Sequence, residues 1–310
     1  MDTGKIVLIA NPAAQNGRGS WAAVEAASIL ASRVGEEGFR LLLTERPGHA
    51  TEIAQAVPSG TRAVVALGGD GIVNEVACGL MGRPEGDRPP LGVIPAGSGN
   101  DYAATLGMAS GLSRAIDQIL RFQTMRADVG RVNGRYFVET LSFGLDAAIA
   151  LDTMERRVRT GSAGTRLYLE SAVDQLFHHL DTYDFTLNVL RAAPGLAPIY
   201  LKGSCYLFAV QMGPTYGGHF RITPKAALDD GLLDLCWATP TLAPKRALAV
   251  LLAARFGRHT GNSHIHFERA EALELSFDRE PLAQIDGEKI EGDHFIIDCI
   301  PGALTVIRGA

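Results

Sequence analysis

Along the first 125 residues, short apolar runs alternate with segments of helical periodicity. Such an alternation is typical of a parallel sheet with crossover helices, and it predicts a doubly wound α/β domain. In sheets of this kind, ligands bind outside the carboxyl ends of the strands, so the loops that follow the strands are where chemistry is expected. The predicted strands cover 5–10, 40–44, 63–67 and 91–94, and the predicted helices include 21–34, 50–56 and 72–81.

The pattern changes near residue 126. Two apolar runs, 127–132 and 135–141, flank Asn133-Gly134, which is a strong signal for a two-residue hairpin. We therefore predict an α/β domain over 1–125 and a mainly antiparallel β-sandwich over 126–300, and we leave open whether 301–310 return to the first domain. Within the sandwich we expect one helix at 165–180 and strands at 185–190, 204–212, 232–238, 272–277, 283–285 and 295–299.

Composition excludes several classes of protein. The net charge of −5 and the lack of a dense basic tract argue against a nucleic-acid partner. Four scattered cysteines have neither disulfide-framework nor zinc-site spacing, which indicates a reducing compartment. No export signal is visible, and the longest apolar stretch, 247–254, is too short to span a bilayer. We expect a cytoplasmic enzyme that can reach the inner membrane face only from its surface.

The glycine-rich segment Gly68-Gly69-Asp70-Gly71 lies directly between a predicted strand and a predicted helix. Glycines there would let a phosphate approach backbone N–H groups at the positive end of the helix. An ordinary strand-to-helix turn that needs positive φ would use glycines as well. The segment is therefore a candidate anion site with a structural alternative.

Two further loops strengthen the phosphate interpretation. The next strand ends in a second glycine-rich turn over 95–101, where Ser98 could donate to a phosphate and Asp101 could cap the helix or face a metal. The loop after the first strand, 11–19, adds backbone donors, amides and one cation. We expect all three loops at one edge of the sheet.

Common enzyme fingerprints are absent from the sequence: neither a P-loop nor a dinucleotide G-x-G-x-x-G occurs, and G-x-S-x-G and H-E-x-x-H are missing as well. What remains is phosphate binding together with carboxylates. Far downstream, Asp286-Gly287-Glu288 places two acids at a strand end, where a solvated hairpin turn is the alternative explanation.

Taken together, these motifs resemble the diacylglycerol kinase catalytic family, and the bacterial soluble lipid kinases in particular. The resemblance covers nearly the whole chain in order. It rests on Asn11-Pro12 with Gly17-Arg18-Gly19, Gly68-Gly69-Asp70-Gly71 with Asn74-Glu75, Pro95-x-Gly97-Ser98-x-Asn100-Asp101, and Asp286-Gly287-Glu288.

The resemblance implies an ATP- and Mg²⁺-dependent kinase that phosphorylates a lipid hydroxyl at the membrane surface, with diacylglycerol or a related glycerolipid or sphingoid lipid as acceptor. Glu288 would accept the hydroxyl proton, and Asp286 and Asp70 would help to place the catalytic Mg²⁺ and the phosphates. A structural Mg²⁺ would be bound by Asp230 and the carbonyls of Ala227 and Leu232. The nucleotide would be held between a nucleotide-binding first domain and a lipid-substrate second domain by Asn11, Pro12, Ala13, Ala14, Gln15, Thr44, Gly68, Gly69, Asp70, Gly71, Ile72, Val73, Asn74 and Ser98.

Two positions depart from the family pattern, since Ile72 stands where threonine is usual and Ser98 where threonine is commoner. The second position keeps a hydroxyl and the first does not. A kinase resembling NAD kinase, with a soluble acceptor, is the main enzymatic alternative, because that class has a similar Gly-Gly-Asp-Gly turn. A catalytically silent nucleotide-binding module is the alternative from another class. The loop over 95–101 also resembles that of sphingosine kinases, so the sequence leaves open which lipid is the acceptor. It also leaves open whether the chain forms a homodimer.

Overall fold

A computed structural model describes residues 4–14, 17–161 and 165–309. The chain forms two compact units: unit 1 comprises Met1–Ala127 and Gly302–Ala310, and unit 2 comprises Asp128–Pro301. Among the described residues, no helix combines the length and the apolar character needed to cross a membrane.

Unit 1 contains a parallel sheet whose strands end level with one another. In the sheet order β4-β3-β1-β2, Ala10 pairs with both Leu43 and Leu67, and Gly68 pairs with Pro95. The loops that follow these four strands therefore start at the same edge of the sheet. The strands are β1 (Ile6–Ala10), β2 (Phe39–Leu43), β3 (Ala63–Gly68) and β4 (Leu91–Pro95).

The helices of unit 1 form where apolar residues recur every three or four positions. The first helix buries Ala23, Ala26 and Leu30, which lie along one stripe of its surface. The third buries most of its length, as expected for a helix that packs against a sheet. The helices are α1 (Arg18–Val34), α2 (His49–Ala56), α3 (Asp70–Met81), α4 (Asp101–Thr105) and α5 (Leu112–Arg121), with 3₁₀ turns at Glu36–Gly38 and Glu85–Asp87.

Unit 2 is built mainly on antiparallel strands. The strands are β5 (Thr124–Val132), β6 (Arg135–Phe137), β7 (Thr140–Gly144), β8 (Tyr183–Ala192), β9 (Tyr200–Cys205), β10 (Leu207–Gln211), β11 (Leu233–Ala238), β12 (Ile265–Phe277), β13 (Ala283–Ile285), β14 (Glu288–Ile290) and β15 (His294–Ile307). Antiparallel pairs connect them in the order β14-β13-β7-β10-β11-β12-β15. In addition, β8 pairs with β12 and β9 with β8, while β5 pairs with β15 and β6 with β5.

Strand β15 is longer than the sequence predicts, because it continues through Pro301-Gly302 instead of turning there. Its last residues belong to unit 1, where Val306 pairs in parallel with Leu91 of β4. The hairpin at Asn133-Gly134 forms as predicted, with both residues at positive φ and Val132 paired with Arg135.

Unit 2 also has three helices, α6 (Leu145–Thr160), α7 (Thr165–His178) and α8 (Pro244–Ala254). The helix predicted at 165–180 is observed as α7. The sequence analysis missed α6, which follows β7 directly and begins after Gly144 without a polar capping residue. The core of the unit contains packed rings, with Phe143 5.0 Å from Phe277 and 4.8 Å from Phe295 between ring centroids. The predicted combination of an α/β part and a mainly antiparallel part is thus observed.

Candidate phosphate-binding loops and catalytic turn

The two glycine-rich loops of unit 1 contact each other backbone to backbone. A Cβ atom added to Gly97 would lie 2.2 Å from the Cα of Gly69, and the Ala96 N–H donates to the Gly68 carbonyl over 2.8 Å. Gly68 also has a φ of 156°, at the limit of the range that favours glycine. Part of the glycine signal in the sequence is therefore explained by packing.

Gly71 has no such structural explanation. It lies exposed in the first turn of α3, its φ is not positive, and a Cβ atom there would meet nothing within 4 Å. A side chain at this position would instead fill the open space beside the helix N-terminus, where unpaired backbone N–H groups attract anions. The open space at Gly71 would let a phosphate approach the backbone N–H groups at the start of α3. We call this site the phosphate cradle.

Asp70 ties the two loops together. One of its carboxylate oxygens accepts the Asn100 N–H at 2.9 Å, and the other accepts the Tyr102 N–H at 3.2 Å. Asn100, at positive φ, closes its own loop because its side chain accepts from the Gly97 N–H and donates to the Gly97 carbonyl. The loop over 97–102 is therefore held to the start of α3.

A second carboxylate lies close to Asp70. Oxygens of Asp70 and Asp101 lie 2.7 and 3.2 Å from the Cβ position of Gly99, so the two negative groups converge. Burial, and then the charge of Asp101, raise the pKa of Asp70 to about 6. Two converging carboxylates are what Mg²⁺ needs from a protein when phosphates supply the other ligands. Asp70 and Asp101 are therefore the candidate residues for facing a Mg²⁺ ion here, with both Asp70 oxygens also accepting backbone N–H groups.

The loop after β1 is folded by Asn11 and Gly19. The Asn11 side chain accepts the Ala13 N–H at 2.9 Å, and a Cβ atom at Gly19 would lie 2.1 Å from the Asn11 carbonyl oxygen. Gly19 thus allows the loop to fold over the start of α1. Of the predicted nucleotide-binding residues here, Asn11, Pro12, Ala13 and Ala14 lie in this turn, and Gln15 lies outside the described residues.

The remaining predicted nucleotide contacts differ in exposure. Thr44 follows β2 and donates its N–H to the Ala10 carbonyl, which places it beside the start of the β1 loop. Ser98 is partly exposed within the second glycine loop. The Thr44 side chain is buried. The side chains of Ile72, Val73 and Asn74 are buried as well, so at all four positions a ligand could reach backbone groups only.

In unit 2, Asp286 and Gly287 form the two-residue turn between β13 and β14. Both have positive φ, 44° and 90°, and Ile285 pairs with Glu288 across the turn. The Asp286 carboxylate accepts three backbone N–H groups, from Val138 at 2.7 Å, Glu139 at 3.1 Å and Thr140 at 2.7 Å. Asp286 therefore anchors the turn to the start of β7.

Glu288, directly after this turn, points to the surface. Its side chain is 58% exposed, and its Oε2 accepts from the Arg135 guanidinium at 2.7 Å, with Arg135 itself 48% exposed. An ion pair this exposed contributes at most about 1 kcal/mol to stability, so it can be exchanged for a substrate contact at little cost. Of the two acids predicted to be catalytic, Glu288 is the more exposed.

Comparisons with known proteins bear on this arrangement. The model of the diacylglycerol kinase catalytic domain matches residues 5–132, and the model of the YegS C-terminal NAD kinase beta sandwich-like domain matches residues 139–308. The chain belongs to the diacylglycerol kinase catalytic family. This membership confirms the predicted fold class and makes the chain a lipid kinase by class.

Individual relatives agree with the assignment to this family. The chain is 27% identical to a diacylglycerol kinase of Staphylococcus saprophyticus over 79% of this chain and 76% of the relative. It is 29% identical to that of Staphylococcus haemolyticus over 79% and 71%, respectively. A crystal structure of a diacylglycerol kinase from Bacillus anthracis superimposes with a TM-score of 0.74 at 21% identity, covering 100% of this chain and 98% of that one, and supports the fold.

The loop that is predicted to hold a structural Mg²⁺ is organised by Arg269. Its guanidinium donates to Asp234 at 2.8 Å and to the Lys225 carbonyl at 2.7 Å, and lies 3.4 Å from Oδ2 of Asp230. The other oxygen of Asp230 accepts the Leu232 N–H at 3.2 Å.

Both Asp230 oxygens therefore already face protein donors. A Mg²⁺ ion held by Asp230 and the carbonyls of Ala227 and Leu232 would lie next to the Arg269 guanidinium, and this ligand set stays a prediction. Among the described residues, no group of three or more His, Cys, Asp and Glu side chains is arranged for a metal.

We expect Arg269→Met to lower the free energy of unfolding by on the order of 3 kcal/mol, because it leaves the buried Asp234 without its cation. Arg131→Met is the matched control: it removes an equally close guanidinium from Asp298 at a more exposed position and should cost about 1 kcal/mol or less. Urea unfolding measures both. A fall in the melting temperature of the nucleotide-free wild type on adding EDTA would contradict the arginine-held loop and support a metal.

A buried acid that the sequence analysis missed lies at the start of α6. Asp146 is 2% exposed, and the Tyr216 hydroxyl donates to its Oδ1. Burial raises the pKa of Asp146 to about 6, although hydrogen bonds from Tyr216 and Ser142 oppose the rise. The only sequence signal for it was an Asp two residues after a glycine at the end of a strand.

The raised pKa predicts how stability depends on pH. Asp146 binds its proton more tightly when folded than when unfolded, so its contribution to stability is present below about pH 4 and is lost as the pH rises through about 6. Asp146→Asn removes this loss. The free energy of unfolding of Asp146→Asn minus that of the wild type should be larger at pH 7.5 than at pH 4 by about 2–3 kcal/mol. An equal difference at both pH values would contradict the raised pKa.

Proposed function

We propose that this chain transfers the γ-phosphate of ATP to the hydroxyl group of a lipid, with diacylglycerol or a related glycerolipid or sphingoid lipid as acceptor. The observation that carries the proposal is the open space at Gly71, in the first turn of a helix, where nothing in the fold requires glycine. Family membership supports a lipid kinase and the use of ATP.

In unit 1, the ATP phosphates would bind beside Gly71 and the N-terminus of α3, with Ser98 as a further donor from the second glycine loop. Asn11 and Thr44 start the loops after the two neighbouring strands at the same sheet edge and would contact the rest of the nucleotide. Because Asp70 and Asn100 already fix the two glycine loops, the loops would need no rearrangement to receive a phosphate, which favours electrostatic stabilisation of the transferring group.

Asp70 and Asp101 would hold the catalytic Mg²⁺ together with the phosphates. When bound, the ion would offset the negative charge that develops on the phosphoryl oxygens. The proximity of the two carboxylates supports this role, because burial and then the charge of Asp101 raise the pKa of Asp70, and a cation would offset both effects.

In unit 2, Glu288 would act as the general base. The lipid hydroxyl oxygen forms a bond to the γ-phosphorus, the bond from that phosphorus to the bridging oxygen of ATP breaks, ADP leaves, and the hydroxyl proton passes to the Glu288 carboxylate. Arg135 would release Glu288 for this step. Asp286 would be a positioning residue, since its carboxylate already accepts three backbone N–H groups.

The molecule that accepts the γ-phosphate distinguishes the proposed function from its alternatives. Labelled γ-phosphate from ATP with Mg²⁺ should appear in one or more of diacylglycerol, monoacylglycerol, sphingosine, ceramide and phosphatidylglycerol in mixed micelles, with NAD tested in parallel. Label in a lipid supports the proposal and names the acceptor. Label in NAD alone would establish the soluble-acceptor kinase, and ATP binding without transfer would favour a silent nucleotide-binding module.

A further inference from the structure

The hairpin that carries Glu288 has few backbone attachments. Strand β14 has three residues and, within the described parts of the chain, pairs only with β13, itself three residues long. Strand β13 in turn pairs with β7. Because so short a pair at a sheet edge is weak by itself, side chains must fix the position of the turn.

One such side chain is Gln284, which is fully buried. Its Oε1 accepts the N–H of Gly287 at 2.6 Å, and its Nε2 donates to the Ser142 hydroxyl at 2.7 Å. Gln284 and Ser142 are direct partners across β13 and β7. The amide therefore connects the residue before Glu288 to the next strand of the sheet.

The orientation of this amide is fixed by the Gly287 N–H. A backbone N–H can only donate, so it pairs with the amide oxygen of Gln284 and leaves the NH₂ group to donate to the Ser142 hydroxyl. The donors thus run in one direction, from Gly287 through Gln284 to Ser142. The flipped amide would bring its NH₂ group against the Gly287 N–H, so both contacts favour this single orientation.

We propose that Gln284 is a positioning residue for the phosphoryl transfer, holding Gly287 through its amide oxygen and thereby fixing the place of the Glu288 carboxylate. This inference rests on the proposed role of Glu288 as general base. A base displaced by about 1 Å can lose on the order of 10²-fold in rate, so even a small shift of the turn would be measurable.

The protein contains a matched control on the opposite edge of β7. Gln211 of β10 is also fully buried, pairs with Thr140 across the strands, and donates its Nε2 to the Thr140 hydroxyl at 2.7 Å. It thus repeats the glutamine-to-hydroxyl contact of Gln284 without a hydrogen bond to the turn. Replacing either glutamine by methionine removes a buried amide while keeping a side chain of similar length.

Gln284→Met should lower kcat about tenfold or more while the KM for ATP stays within about twofold, because only the base is misplaced. Gln211→Met should lose a similar amount of stability, measured by melting, and keep kcat within about twofold of the wild type. In the Glu288→Gln background, Gln284→Met should have no further effect on residual turnover, because it acts through Glu288. Equal losses of kcat in the two methionine variants, or full additivity with Glu288→Gln, would overturn the inference.

Amide hydrogen exchange separates this inference from the proposed function. In Gln284→Met the Gly287 N–H should lose protection, and in Gln211→Met it should keep it. If the wild type phosphorylated no acceptor, the proposed function would fail, and selective loss of protection at Gly287 would still support the hold of Gln284 on the turn. Unchanged protection in Gln284→Met would overturn that hold whether or not the enzyme is active.

Discussion

Glu288→Gln is expected to bind ATP normally and to lose turnover by a factor on the order of 10² or more, as expected when a general base is removed. Stability should change little, because the carboxylate is 58% exposed and its ion-pair partner, Arg135, is also at the surface. Turnover is measured at saturating ATP and lipid, ATP affinity by calorimetry, and folding by thermal melting.

The matched control is Glu291→Gln, three residues along the chain. Glu291 is 76% exposed and forms an ion pair with Lys289 at 3.3 Å, so its neutralisation makes the same change of charge close to the same turn. Its turnover should remain within about twofold of the wild type, as is usual for exposed positions. Turnover of Glu288→Gln close to that of Glu291→Gln would remove Glu288 from the role of base.

Gly71→Ala is expected to weaken ATP binding on the order of tenfold or more, equivalent to about 1.4 kcal/mol, because the new methyl group occupies the space where a phosphate would approach. The fold should not suffer. Alanine is better than glycine in a helix by roughly 0.5–1 kcal/mol, and the open space at this position imposes no clash. The dissociation constant for ATP and the free energy of unfolding are measured on the same preparation.

Gly79→Ala, in the same helix, should behave in the opposite way. A Cβ atom there would lie 2.4 Å from the Thr51 carbonyl oxygen and 2.8 Å from the Ala54 Cβ of α2. Overpacking of this kind typically costs about 1–3 kcal/mol. We expect lower stability with unchanged ATP affinity of the folded protein. If Gly71→Ala bound ATP as the wild type does, the phosphate cradle at α3 would be wrong.

The parallel sheet of unit 1 could be predicted because each strand is a continuous apolar run that ends at a polar or glycine-rich loop. The sequence also indicates two-residue turns at Asn133-Gly134 and Asp286-Gly287, since Asn-Gly and Asp-Gly accept positive φ at both positions. The length of β15 could not be predicted, because Pro301-Gly302 has the composition of a turn and pairing with neighbouring strands overrides it.

For the candidate site, sequence motifs identified the loops but not the role of each residue within them. Asp286 and Glu288 are two residues apart and chemically alike. The Asp286 carboxylate accepts three backbone N–H groups, whereas the Glu288 carboxylate is exposed at the surface. Long-range partners such as Gln284 with Ser142 and Arg269 with Asp230 leave no local pattern in a single sequence. Such contacts depend on strand register, which only the folded chain specifies.

The most direct test of the account is the side-by-side transfer of labelled γ-phosphate to diacylglycerol by the wild type and by Glu288→Gln, with both proteins shown to bind ATP. We expect labelled lipid from the wild type, and an amount of labelled lipid from Glu288→Gln that is lower by a factor on the order of 10² or more. Equal labelling by the two proteins would contradict the assignment of the base, and a wild type that binds ATP but labels neither diacylglycerol nor any other lipid of the panel would contradict the proposed activity.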